Sequence, residues 1–123
     1  LSPSGRFGLW GPPACWALVI LIVSSLPGVE VEYLSFDWGD KLAHLAEYAI
    51  LGVLLGRLFS VSGRLVRFRY FGTLALGFGF AGVDELHQLF IPNRFCEWGD
   101  FLFDAAGLGL GLIVYITFRK VRS

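Results

Sequence analysis

Between Arg6 and Glu30 the chain runs for 23 residues, Phe7 to Val29, without an acid or a base. At about 1.5 Å of rise per helical residue, such a stretch crosses the roughly 30 Å hydrocarbon core of a bilayer, and a helix lets the segment satisfy its own backbone there. The rest of the composition agrees, because 16% charged against 55% hydrophobic residues is too little charge for the surface of a soluble domain of 123 residues. Pro12 and Pro13 suit the first turn of a helix, where a missing N–H costs nothing, and Pro27-Gly28 is a stop signal. The segment is therefore expected to be retained as a span. Arg6 ahead of the apolar run and the small Ser24 and Ser25 are the features that a removable signal peptide would share.

Three further apolar stretches are shorter. Tyr48 to Gly56, Tyr70 to Val83 and Ala105 to Phe118 are free of charged residues for 9, 14 and 14 residues. Each reaches span length only if its helix also takes in the polar residues beside it: Asp40 to Glu47, Asp84 to Gln88, and Asp100 to Asp104. The expectation is an all-α, four-transmembrane-helix bundle, a single domain over residues 1–123, with polar clusters inside the helix ends.

The net charge is zero, but the charges are segregated. Eight of the ten basic residues (Arg6, Arg57, Arg64, Arg67, Arg69, Arg119, Lys120 and Arg122) fall on one side of an alternating four-span topology. The excess of Lys and Arg on the cytoplasmic side predicts a multi-pass protein of the bacterial cytoplasmic membrane with both termini in the cytoplasm. The same rule accounts for the four arginines between the second and third spans, so no nucleic-acid partner is expected; membrane lipids are. The opposite side is acidic, with Lys41 and Arg94 as its only bases. Cys15 and Cys96 fall near opposite ends of the bundle and are not expected to pair.

Helical spacing then draws the polar residues together. Asp40, His44 and Glu47 follow one another at spacings of four and three, with Tyr48 alongside. Asp84, His87 and Gln88 lie within about 100° of one another on the third helix, with Glu85 turned toward the neighbouring flank. Asp100, Asp104, Gly107 and Gly111 form one stripe in which acids run into small residues, and Gly52 with Gly56 repeats the small-xxx-small pattern that lets helices approach closely in lipid. Ionisable groups at this depth cost at least about 2.5 kcal/mol if they face lipid, so they are expected to face inward around a shared centre in which His44, His87 and Asp104 meet. A bundle tight below and open above would hold a vestibule.

The runs "DKLAHLAEYAILGVLLGR" and "DELHQLFIPNRFCEWGDFLFDAAGLGLG", with "SSLPG" after the first helix, resemble the VanZ-like family of small bacterial membrane proteins, named for a member associated with resistance to the glycopeptide teicoplanin. The pattern links Asp40-Lys41, His44, Tyr48, Asp84-Glu85, His87-Gln88, Arg94, Asp100 and Gly107. The resemblance implies a four-span envelope protein with an outward polar site at those positions, and no settled reaction. It departs at Asp104, where the family pattern usually has Asn, so this chain carries an added charge or proton.

Several functions are open to such a cluster. His44 or His87 is a candidate general acid or base oriented by Asp40, Asp84 or Glu85, on an amphiphilic, lipid-linked or glycopeptide-related envelope compound held by Arg94, Lys41, Tyr48, Gln88, Asp100 and Asp104. Alternatively the cluster is only hydrogen-bonding glue between helices, in a small accessory subunit of a larger membrane protein complex. A transport path is disfavoured because the polar groups gather near one face. Metal ligation by His44, Glu47, His87 and Asp84 or Glu85 lacks a compact motif such as H-E-x-x-H, so neither a metal nor another cofactor is expected.

Overall fold

The computed structural model describes residues 3–25, 38–61, 66–90 and 98–122, and within these the side chains of Asp40, Trp38, Trp98 and a few residues at the ends are outside the description. Arg94, Pro92, Cys96 and the Pro27-Gly28 stop also lie outside the described residues. The elements are α1 (Pro3–Ser24), α2 (Trp38–Val61), a short 3₁₀ turn (Val66–Phe68), α3 (Arg69–Gln88) and α4 (Trp98–Arg122). The described chain is all helical apart from turns, and each polar cluster is inside a helix: Asp40 to Glu47 in α2, Asp84 to Gln88 in α3, Asp100 to Asp104 in α4.

Among the described residues, three segments are long and apolar enough to cross a membrane by length and composition: Gly5–Ser24, Lys41–Val61 and Gly99–Arg119. Helix α3 has 20 residues, the length of a span, but it spends part of that length on Arg69, Asp84 and Glu85. Its two acids are buried against other helices, which is how a polar helix can sit within a bundle in lipid. Large apolar side chains, among them Phe7, Ile22, Phe71, Leu86, Phe90, Ile113 and Phe118, cover the outside. An apolar exterior with the charged groups buried among the helices suits acyl chains rather than water.

Contacts along the helices give their directions. Trp16 meets Glu47 and Gly8 meets Arg57, so α1 runs antiparallel to α2. Tyr48 meets Asp84 and Phe59 lies over Gly72, so α3 is antiparallel to α2 as well. Lys41 meets Asp100 and His44 meets Asp104, which makes α2 and α4 parallel. The start of α1 and the end of α4 therefore share one end of the bundle, with Arg57, Arg67, Arg69 and Arg119. The polar clusters occupy the other.

The α2–α4 pair is the most extensive helix contact. A Cβ at Gly107 would stand 2.5 Å from the Leu45 carbonyl oxygen, and one at Gly52 would stand 2.5 Å from that of Leu108. With Gly111 against the Ala49 backbone, these positions realise the small-residue stripe read from the sequence. Backbones this close gain dispersion contacts along the whole interface, the main attraction available between helices when lipid is as apolar as Leu.

One local expectation is corrected. Pro12 and Pro13 are not in the first turn: α1 begins nine residues before Pro12, at Pro3, and holds both prolines in its interior. Pro12 has no N–H to give to the carbonyl four residues back, that of Gly8. Arg57 Nη1 donates to that carbonyl instead, at 2.8 Å. A guanidinium from α2 thus fills the gap that Pro12 opens in α1, and the helix continues.

Candidate functional site

Lys41, His44 and Tyr48 project from the first turns of α2 at spacings of three and four, on the face turned to α3 and α4. Asp84, Glu85 and Gln88 reach the same level from the last turns of α3, and Asp100 and Asp104 from the first turns of α4. All eight are buried. The register comes from the two antiparallel turns of chain and from the glycine contacts below, which lock α2 against α4 one turn beneath Asp104.

Lys41 Nζ pairs with Asp100 Oδ1, both side chains about 5% exposed or less. His44 Nδ1 lies 2.7 Å from Asp104 Oδ1. With Asp104 ionised, Nδ1 carries the ring proton and donates it, which fixes the tautomer of His44. Tyr48 donates its hydroxyl to Asp84 Oδ2 at 3.0 Å. Glu85 Oε1 is 3.9 Å from His44 Nδ1, inside ion-pair range and outside hydrogen-bonding distance.

These contacts do not use up the centre. Asp84 Oδ1, both oxygens of Glu85 and Asp104 Oδ2 are buried without a hydrogen-bond partner. Burying such groups unsatisfied costs about 1–3 kcal/mol each, and more when charged, so four of them at one level is a large departure from a packed interior.

A family model described as VanZ/LLP1 matches residues 13–119, most of the chain and every residue of this centre. The chain belongs to the VanZ/LLP1 family. No curated protein and no solved structure matches it. The VanZ-type runs noted in the sequence thus lie on three different helices of this family member and converge at one end of the bundle.

The convergence differs from the expected one at His87, Glu85 and Gln88. His87 does not join His44 and Asp104: it is half-buried on the α1 side, where Nε2 is 2.8 Å from Ser25 Oγ. Glu85, expected on a flank, faces His44 and Asp104 instead. The cost of an acid facing lipid carried that signal already, since neighbouring acids on a helix are about 100° apart and both must then face protein. Gln88 points to α1 as well, its Nε2 donating to Ser24 Oγ at 3.5 Å. Glu47 is half-buried, and its backbone carbonyl accepts from Trp16 Nε1 at 2.8 Å, a contact between α1 and α2.

Beside the centre, toward the middle of the bundle, an apolar cleft of about 220 Å³ lies between α1, α2 and α3. Trp10 and Ala17 of α1, Leu51 and Leu55 of α2, and Leu76 and Phe80 of α3 line it. The Phe80 ring, which lines the cleft, is 6.1 Å from that of Tyr48, and the Tyr48 hydroxyl donates to Asp84.

Proposed function

We propose that this VanZ-family membrane protein binds an amphiphilic, lipid-linked envelope compound, with the polar head at the His44–Asp104–Glu85 centre and the tail in the cleft below Phe80. The four carboxylate oxygens without partners carry this reading. Interhelical glue explains Lys41–Asp100, His44–Asp104 and Tyr48–Asp84, because each contact ties α2 to a neighbour. Glue explains less well a buried Glu85 that, when ionised, has no hydrogen-bond donor at either oxygen. Groups left unsatisfied inside a bundle suit something that arrives from outside it. His44, oriented by Asp104, adds a group able to give or take a proton if the head is altered chemically.

The basic end of the bundle faces the cytoplasm in this reading and the polar centre faces the outer leaflet, on the strength of the Lys/Arg asymmetry. A reporter active only in the cytoplasm, fused after Ser123, should be active.

Native mass spectrometry of the detergent-purified chain, loaded with a polyprenyl phosphate, tests the binding. Leu76→Trp fills the cleft and should lower occupancy, whereas Leu110→Trp on the exposed face of α4 should leave it unchanged. Equal occupancy in both variants would remove the cleft from the reading. A stable, folded wild-type chain that takes up no amphiphile at all would return the cluster to a purely structural role.

A further inference from the structure

Glu85 is 4% exposed and projects from α3 into the space between His44 of α2 and Asp104 of α4. Neither of its oxygens has a hydrogen-bond partner, and Asp104 keeps Oδ2 unpartnered beside it. One ligand atom from each of His44, Glu85 and Asp104 lies within 4.8 Å of the other two. Two buried carboxylates turned toward one imidazole repel each other unless a shared proton or a cation joins them.

The charge count says how much is missing. Among the described residues of the centre, Asp84, Glu85, Asp100 and Asp104 are opposed by Lys41 and, when protonated, His44. A metal-bound His44 is neutral, so with all four acids ionised and Lys41 opposing them three negative charges remain, and one divalent cation offsets two of these. The distances are close to what such an ion requires. Nitrogen and oxygen ligands at about 2.0–2.2 Å from a tetrahedral ion stand about 3.4 Å from each other. His44 Nδ1 is 2.7 Å from Asp104 Oδ1 and 3.9 Å from Glu85 Oε1, on either side of that value.

We propose that His44 Nδ1, one oxygen of Glu85 and one oxygen of Asp104 ligate a divalent transition cation of the zinc or manganese class. A mixed set of one imidazole and two carboxylates, with no thiolate, suits ions of that kind. The ion takes the place of the proton between His44 and Asp104: an imidazolium at His44 releases its Nδ1 proton to solution and keeps the one on Nε2, and a neutral ring moves its proton from Nδ1 to Nε2 with none released, so that in either case Nδ1 ligates as neutral imidazole. The set weighed and set aside from the sequence, His44, Glu47, His87 and Asp84 or Glu85, is a different one; the fold puts His87 on Ser25 and puts Asp104 beside His44 and Glu85. Three protein ligands leave a position for an outside oxygen, and on the amphiphile reading above that oxygen belongs to an anionic head such as a phosphate. The ion site itself does not depend on that reading.

The test uses the full chain in mild detergent, stripped with a chelator, reloaded with Zn²⁺ or Mn²⁺, desalted and analysed for bound metal, with affinity measured by calorimetry. The expected result is about one ion per chain, with affinity lowered at least about tenfold in Glu85→Gln and in Asp104→Asn and unchanged in His87→Ala. Zinc absorption spectroscopy on the wild type gives a second readout that needs no variant, with nitrogen and oxygen scatterers at about 2.0–2.2 Å including one imidazole. A wild-type chain that retains neither ion, a scatterer set without imidazole, or a folded Glu85→Gln that binds as the wild type does would overturn the site. Loading the metal-bound and metal-free chains with a polyprenyl phosphate separates the two readings. One ion bound with no change in lipid uptake keeps the metal site and removes only its link to the amphiphile.

Discussion

His44 Nδ1 and Asp104 Oδ1, 60 residues apart along the chain, are 2.7 Å from each other between α2 and α4. The contact combines a side-chain partner for each group with a tie between the two most closely packed helices. Asp104→Asn keeps an oxygen that can accept from Nδ1, whereas Asp104→Leu leaves the buried ring nitrogen alone. Measured by thermal unfolding in detergent with chelator present, Asp104→Leu is expected to cost about 1–3 kcal/mol more than Asp104→Asn. Equal losses would mean that packing volume, and not the hydrogen bond, is what this position supplies.

Lys41 and Asp100 form a pair that is buried on both sides. Removing one member leaves a charge in a low dielectric, so Lys41→Met is expected to destabilise the bundle by about 3–5 kcal/mol. The double variant Lys41→Met with Asp100→Leu should recover more than half of that. A double variant no better than Lys41→Met would show that the two residues are not each other's main partner.

Gly107 and Gly79 separate the two uses of glycine on these helices. A side chain at Gly107 meets the backbone of Leu45 and Ala49, neither of which can yield, while nothing lies within 4 Å of a Cβ at Gly79. Gly107→Val should abolish the folded, monodisperse species on size exclusion. Gly79→Ala should be as stable as the wild type or up to about 1 kcal/mol more so, from helix propensity. Tolerance of valine at 107 would contradict the α2–α4 register.

Arg57 and Pro12 should be coupled although they do not bond to each other. Arg57→Ala leaves the Gly8 carbonyl without its donor, at a cost of about 1 kcal/mol or less for this partly exposed contact. Pro12→Ala restores an N–H to the same carbonyl within α1. In a double-mutant cycle, Arg57→Ala should therefore cost less in the Pro12→Ala background; additive losses would count against the shared carbonyl.

Much of this was legible in order along the chain. A run of 23 residues without an acid or a base foretold a long apolar first helix, the alternation of basic and acidic segments foretold bases gathered at one end of the bundle, and the period of 3.6 placed Asp100, Asp104, Gly107 and Gly111 on one stripe before any fold was known. Those are properties of single helices, and a helix carries its own angular order wherever it packs. Pro12 misled because its cost depends on a donor from elsewhere, and Arg57 is 49 residues away from the carbonyl it reaches.

Choice of partner is a different kind of fact. His44 and His87 look equivalent in sequence, each on a polar face near a helix end, yet α2 turns His44 to Asp104 while α3 turns His87 to Ser25 and Glu85 to the centre. In lipid no difference in hydrophobicity separates the side of a helix that meets protein from the side that meets acyl chains, so rotation about the axis is set by contacts between distant segments: Gly107 on Leu45, Gly52 on Leu108, Tyr48 on Asp84. The chain alone could say that acids and histidines gather at one end of a bundle. Packing assigned His44, Glu85 and Asp104 to one another, because a few tenths of a turn in α3 is enough to exchange one polar neighbour for the next.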